Sequence, residues 1–127
     1  MGQGGSDAAP PRALPPDAGA PSRVIVLRNL VGPGQVDESL EEEIGRSAER
    51  HGEVESVLIF EVTQPGFPAE EAVRVFVEFE TAAAASAALR DMHGRFFGGR
   101  VVAGRFFDER RFAAGELAPL LGEVAPP

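Results

Sequence analysis

Three groups of residues in this sequence have the types and spacing that molecular recognition needs. The first is Arg95-Phe96-Phe97, an arginine and two rings just ahead of Gly98-Gly99. A Phe ring on a tight loop makes one wall of a slot, and the neighbouring guanidinium can pair with a carboxylate to hold the loop in place. The second is the acidic run from Asp37 to Glu43. On a helix these two ends lie nearly two turns apart and form a negative rim. The third is Phe76 and Phe107, which strand alternation puts on one sheet face with Val26 nearby. Such a face is a binding surface unless the chain covers it, and Leu117, Leu120 and Leu121 are apolar enough to do so. A slot with a ring wall and an acidic rim suits a peptide carrying an aromatic side chain beside Arg or Lys. The aromatic would be the anchor and the bases the steering charges. In the blander reading, Phe97 packs beneath its own loop and the acids are a solvated helix face.

Other chemistries are poorly served. The chain has no Cys, so disulfides, Cys-bound zinc and thiol nucleophiles are excluded, and two His, His51 and His93, make a poor metal site. Glu41-Glu42-Glu43 are consecutive and splay around a helix, which favours solvation over cation binding. Arg28-Asn29 resembles the Arg and Asn of small phosphatases, but no Gly-rich phosphate cradle precedes a helix. The expectation is no catalysis, no metal and no cofactor. No apolar run reaches the roughly 18 residues of a membrane span. The formal net charge is −8, from 20 acids and 12 bases, all of them Arg. An acidic protein is a poor default partner for phosphate backbones and a better receptor for basic ones.

The 127 residues suit one domain. Residues 1–22 contain five Pro, four Gly and five Ala, with Leu14 as the one large apolar residue after Met1, and are expected to be disordered. Met1-Gly2-Gln3-Gly4-Gly5-Ser6 fits an acylation pattern but reads more simply as part of this Gly-rich tail. Residues 23–112 are expected to form the domain, and 113–127 an extension packing on the sheet.

Arg23 to Leu30 reads as a strand, and Asp37 as the cap of a helix that runs to His51 and stops at Gly52. Leu40, Ile44, Ser47, Ala48 and His51 form its inner stripe. Val54–Val62 and Ala72–Phe79 read as strands. Thr81 caps a second helix, with Ala85, Ala88, Leu89 and Met92 inward and Gly94 at its end. Arg100 to Phe107 reads as the fourth strand, and a short helix is expected around Glu116 to Leu121. The order is β-α-β-β-α-β. It predicts an α+β, ferredoxin-like sandwich: a four-stranded antiparallel sheet with two helices on one face.

This order and spacing resemble an RNA recognition motif. In that family aromatic residues on the open sheet face stack on bases. Here the platform positions fall on Val26, Arg74 and Phe76, so one ring of three remains, and the leading base of the third-strand motif falls on Ala72. Stacking contributes about 1–3 kcal/mol per base, so two missing platforms should remove most single-stranded RNA affinity. The competing reading is RNA binding through Phe76, Phe107, Arg74 and the strand around Val26.

More specifically, the chain resembles the UHM domain, a peptide-binding variant of the RNA recognition motif, as found in the splicing factor 45 (RNA-binding motif protein 17) family and its plant DNA-damage-repair/toleration relative. The stretches that carry the resemblance are Val26 to Asp37, Glu71 to Phe79 and Gly94 to Val102. It implies binding of short basic motifs that contain a Trp. Phe97 would stack on that Trp, Arg95 would contact an acid of the first helix, Phe96 would occupy the variable middle position, and Asp37 and Glu43 would meet the ligand's bases. Relatives often carry Tyr or Trp where Phe96 stands. The implied partners are the large subunit of the polypyrimidine-tract auxiliary factor, the branch-point-binding protein and the scaffold subunit of the branch-site complex. The implied role is splice-site choice, including alternative splicing, in the nucleus. The family's glycine-rich patch module is not found in this sequence.

Overall fold

The computed structural model describes residues 13–32, 34–63 and 65–120. Its main sheet has four antiparallel strands: β1 (Val24–Arg28), β2 (Val54–Glu61), β3 (Val73–Phe79) and a last strand at Ala103–Phe107, in the spatial order β2, β3, β1, last. Helix α1 (Leu40–Ala48) follows β1, and helix α2 (Ala82–Met92) follows β3. The predicted order and sandwich are therefore the observed ones. Val24 to Leu27 read as an unbroken apolar run because β1 is central and covered on both faces.

Both helices pack on one face of the sheet. Leu40, Ile44 and Ala48 of α1 meet Ala85, Ala88 and Leu89 of α2 over Ile25, Leu27, Val75, Val77 and Phe79. The Thr81 hydroxyl oxygen accepts from the Ala84 amide at 3.1 Å, so this cap forms as expected. Gly104 allows α2 to lie close to the last strand, since a Cβ there would stand 2.8 Å from Leu89 Cδ1 and 3.0 Å from Leu27 Cδ2. Gly52 ends the turn Glu49–His51 that continues α1. Its φ is 152°, and a Cβ there would be 2.5 Å from that of Ala84.

Four local expectations change. Helix α1 starts at Leu40 because Asp37 spends its side chain on the preceding turn: its Oδ1 accepts from the Ser39 amide at 2.9 Å. The stretch foreseen as one fourth strand is divided. Phe96–Phe97 (β4) and Arg100–Val101 (β5) form a separate hairpin, and Ala103–Phe107 (β6) joins the sheet. Gly98 and Gly99 make the hairpin possible with φ of 58° and 84°, the backbone of a two-residue turn that matches strand twist.

The third change concerns the first 22 residues. Residues 13–22 are not a free tail: Leu14 packs against the core, Ala18 is buried, and the Ala18 carbonyl accepts from the Phe106 amide at 2.9 Å. A segment too poor to build a core can still pair with an open sheet edge, and β6 offers one. Residues 1–12, with the acylation-like pattern, lie outside the described residues. Fourth, the terminal helix is not at Glu116–Leu121. It is α3, Glu109–Ala113, started by Asp108, whose Oδ1 accepts from the Arg110 and Arg111 amides at 2.8 and 3.0 Å. Gly115, at φ 76°, turns the chain so that Leu117 packs on the sheet. Leu120 is exposed, and Leu121 lies outside the described residues.

Candidate functional site

A slot of about 190 Å³ opens between α1, the end of α2 and the β4–β5 hairpin. Leu30, Ile44, Met92 and Val102 make its apolar interior, with Phe96 and Phe97 on the hairpin side. Ser47, Arg50, Asp91 and Arg95 supply its polar lining. The two rings behave differently. Phe97 is half-buried and packs against the core, whereas Phe96 is 77% exposed. The hairpin turn thus fixes one ring as a wall and leaves the other at the lip.

Asp91 is the polar hub of this slot. Its Oδ1 lies 2.5 Å from Arg95 Nη2, and its backbone carbonyl accepts from Arg95 Nε at 2.7 Å. Its Oδ2 lies 3.0 Å from His51 Nε2, which ties the end of α1 to α2. Burial pushes the Asp91 carboxyl up, but hydrogen bonds and charge from Arg95 and His51 outweigh it and hold the group below the usual carboxylate range.

The resemblance implied that Arg95 contacts an acid of the first helix. Its partner is instead Asp91, four residues earlier on α2. The i, i+4 spacing brings the two together, and the carbonyl end of α2 favours a cation at that place. Asp37 and Glu43 do not line the slot. They converge on Ser39, whose hydroxyl lies 2.8 Å from Asp37 Oδ1 and 2.9 Å from Glu43 Oε1. A hydroxyl has one proton to donate, so one carboxylate always keeps that capacity unspent. Hydrogen bonds from the Ser39 hydroxyl and amide hold Asp37 below its ordinary range, so it stays anionic. Glu43 stands one turn before Ser47 on α1, which places the acidic pair beside the slot. The sequence reading missed Asp91 and Arg50. The Asp91/Arg95 spacing was a legible signal, whereas Arg50 gave none.

The alternative face is closed. Val26, Arg74, Phe76 and Phe107 are all buried beneath Leu117 and Phe112. Phe76 meets Phe107 edge-on at 4.8 Å and Phe112 at 5.9 Å. The Arg74 guanidinium lies 5.6 and 5.7 Å from the Phe76 and Phe107 rings, and that of Arg111 lies 4.5 Å from Phe107. Arg28 Nη1 pairs with Glu71 Oε2 at 2.9 Å, with Arg74 Nε 3.8 Å from the other oxygen. A larger cleft of about 500 Å³ lies between Ala20–Ser22 and the start of α3. It shares no lining residue with the slot and brings none of the expected site residues except Phe107 to its surface.

Among the described residues no helix is long and apolar enough to cross a membrane, and no cluster of three or more His, Cys, Asp or Glu could hold a metal. Comparison with known proteins adds an independent line. The family model for the RNA recognition motif matches residues 37–103. The DNA-damage-repair/toleration protein 111 of Arabidopsis thaliana is 53% identical over 106 residues, covering 84% of this chain and 27% of that protein. Human splicing factor 45 is 47% identical over 98 residues, covering 77% of this chain and 24% of that protein. The Drosophila melanogaster poly(U)-binding-splicing factor hfp is 44% identical over 101 residues, covering 76% and 16%. The chain thus spans about a quarter or less of the length of these relatives. Among solved structures, the RNA recognition motif of RNA15 superposes with a TM-score of 0.55 at 21% identity, over 74% of this chain and 99% of that one. At that identity the likeness concerns the fold.

Proposed function

The chain belongs to the RNA recognition motif family, and from that premise we propose that it is a peptide-binding module of pre-mRNA splicing. Its ligand is a short basic segment with one Trp. The indole enters the slot against Phe97, and the bases meet the acidic pair Asp37 and Glu43. The observation that carries this reading is the slot: an apolar interior, a half-buried ring and an adjacent acidic patch in one place. Aromatic anchors in such pockets dominate binding energy, while flanking charges set rate and salt dependence. The module has no catalytic role in this reading, and its place of action is the nucleus.

The partners are basic, Trp-containing segments of splicing factors. By the resemblance these are the large subunit of the polypyrimidine-tract auxiliary factor, the branch-point-binding protein and the scaffold subunit of the branch-site complex. Direct RNA binding is weak or absent in this reading. The buried platform face supports that part, since Phe76 and Phe107 would have to be uncovered before a base could stack on them.

The test is a titration of the protein into a basic peptide with a single Trp, followed by Trp fluorescence. The chain has no Trp or Tyr, so the peptide supplies nearly all the emission. A saturable change that vanishes in Phe97→Ala supports the slot. A folded domain that gives no change overturns it and points to single-stranded RNA, whose affinity would fall steeply with salt.

A further inference from the structure

We propose that Asp91 is a positioning residue for this slot, clasping Arg95 and offsetting one of two guanidinium charges in a lining that would otherwise repel a basic peptide more strongly. The proposal rests on the peptide reading above. Three charged residues line the slot: Arg50, Asp91 and Arg95. Asp91 is the one anion among them. Without it the slot would present two guanidinium groups to a ligand that is itself positive.

The geometry gives Asp91 a second role. Its side chain and its backbone carbonyl both hold Arg95, so the guanidinium is fixed by two acceptors on one residue. Its other oxygen faces His51, at the end of the turn that follows α1. An ionised carboxylate only accepts, so His51 donates from Nε2. The carboxylate thereby links the end of α1, the end of α2 and the residue that opens the β4–β5 hairpin. Asp91 and His51 are both largely shielded, with side chains 27% and 18% exposed, whereas Arg95 is 59% exposed. The clasp holds a mostly solvated arginine from a sheltered base. It keeps Phe97, two residues on, in position as the wall.

The two roles have separable signatures. Asp91→Asn keeps the size and one acceptor oxygen but removes the charge. It should weaken the basic Trp peptide about tenfold at low salt. The deficit should shrink as salt rises, because a repulsion is being screened. Asp91→Glu should restore most of the affinity. Arg50→Gln should strengthen binding modestly in the wild-type protein and recover binding in the Asp91→Asn background, since it removes one of the two positive charges that line the slot. In the free protein, Asp91→Asn should speed amide exchange across residues 95–102 more than across the main sheet, with a modest fall in the unfolding midpoint at neutral pH.

The experiment is the same Trp-fluorescence titration at several salt concentrations for these four variants, with amide exchange on the free proteins. A salt-dependent deficit, with recovery by Arg50→Gln, supports the proposal. If Asp91→Asn binds the peptide with wild-type affinity and salt slope, the proposal falls and the peptide reading stands. An equal deficit at all salt concentrations without recovery by Arg50→Gln also overturns it. A wild-type protein that does not bind the peptide overturns both.

Discussion

The Arg74 guanidinium donates to the Leu117 carbonyl at 2.5 Å, joining two residues 43 positions apart across the sheet face. Arg74 stands where this fold family places a base-stacking ring, and here it anchors the chain that covers the face. Leu117 is 7% exposed and packs with Val24, Val26, Phe76 and Phe107. Leu117→Ala should therefore lower unfolding stability by about 2 kcal/mol, the lower end of the range for buried Leu truncations. Leu120, 55% exposed, serves as the internal control: Leu120→Ala should change stability by less than about 0.5 kcal/mol. Denaturant midpoints measured side by side check both.

In the slot, Phe97→Ala should cost about 2 kcal/mol or more of peptide binding, because it removes the wall against which the anchor packs. Asp37→Ala and Glu43→Ala should each weaken binding less, and their effects should fade as salt rises. Equal losses in all three variants across salt concentrations would contradict the division into anchor and steering charges.

The buried Arg28–Glu71–Arg74 group sets two cations around one carboxylate, with Glu71 3% exposed and Arg74 0% exposed. Glu71→Gln removes the buried carboxylate that pairs with Arg28 and lies beside Arg74. Removing one partner of a buried ion pair costs about 3–5 kcal/mol. The Arg23–Glu109 pair is the contrast, since both side chains are about two-fifths exposed and solvent screens them. Glu109→Gln should shift the denaturant midpoint far less than Glu71→Gln.

Acid stability should show the hydrogen-bonded carboxylates. Asp37, held by Ser39, Glu109, held by the Arg23 amide and guanidinium, and Asp91 all lie below their ordinary range. A depressed carboxylate contributes stability that is fully present above its unfolded value, near 3.9 for Asp and 4.3 for Glu. That contribution is lost as pH falls through the folded value. Unfolding stability should thus drop below about pH 4, and Asp91→Asn should flatten that acid limb. Glu80 has the opposite sign: a hydrogen bond with Glu53 raises it, so acidification favours the fold at that pair. Glu80→Gln should remove this small opposing slope in the same pH titration.

Gly52 should tolerate no side chain. Its φ of 152° is unfavourable for other residues, and a Cβ would press on Ala84. Gly52→Ala should destabilise by more than the roughly 1 kcal/mol typical of point mutants. Gly34, at φ 71° with nothing near its Cβ position, should lose less on the same change, the strain of its backbone alone. Thermal unfolding of the two variants separates steric from conformational cost.

The β-α-β-β-α-β order was legible because local rules act over a few residues. Val73 to Phe79 alternates, Leu40 and Ile44 sit one turn apart, and Thr81 caps its helix with its own side chain. The ring wall of the slot was legible too, since Arg95, the two rings and the paired glycines are contiguous. The tertiary structure decided which partner each charged or apolar group met. Arg95 met Asp91 on α2 rather than an acid of α1, and at the carbonyl end of α2 the Asp91 backbone adds a second acceptor to its carboxylate. Ala18 found the edge of β6 from a segment with no pattern of its own, whereas the apolar tail had already marked Leu117 as a cover for the far sheet face, and the fold decided that Leu117 rather than Leu120 provides it. Periodicity reports how a segment turns one face toward a core. It says nothing of open edges and uncovered faces, which come into being only when distant strands pair.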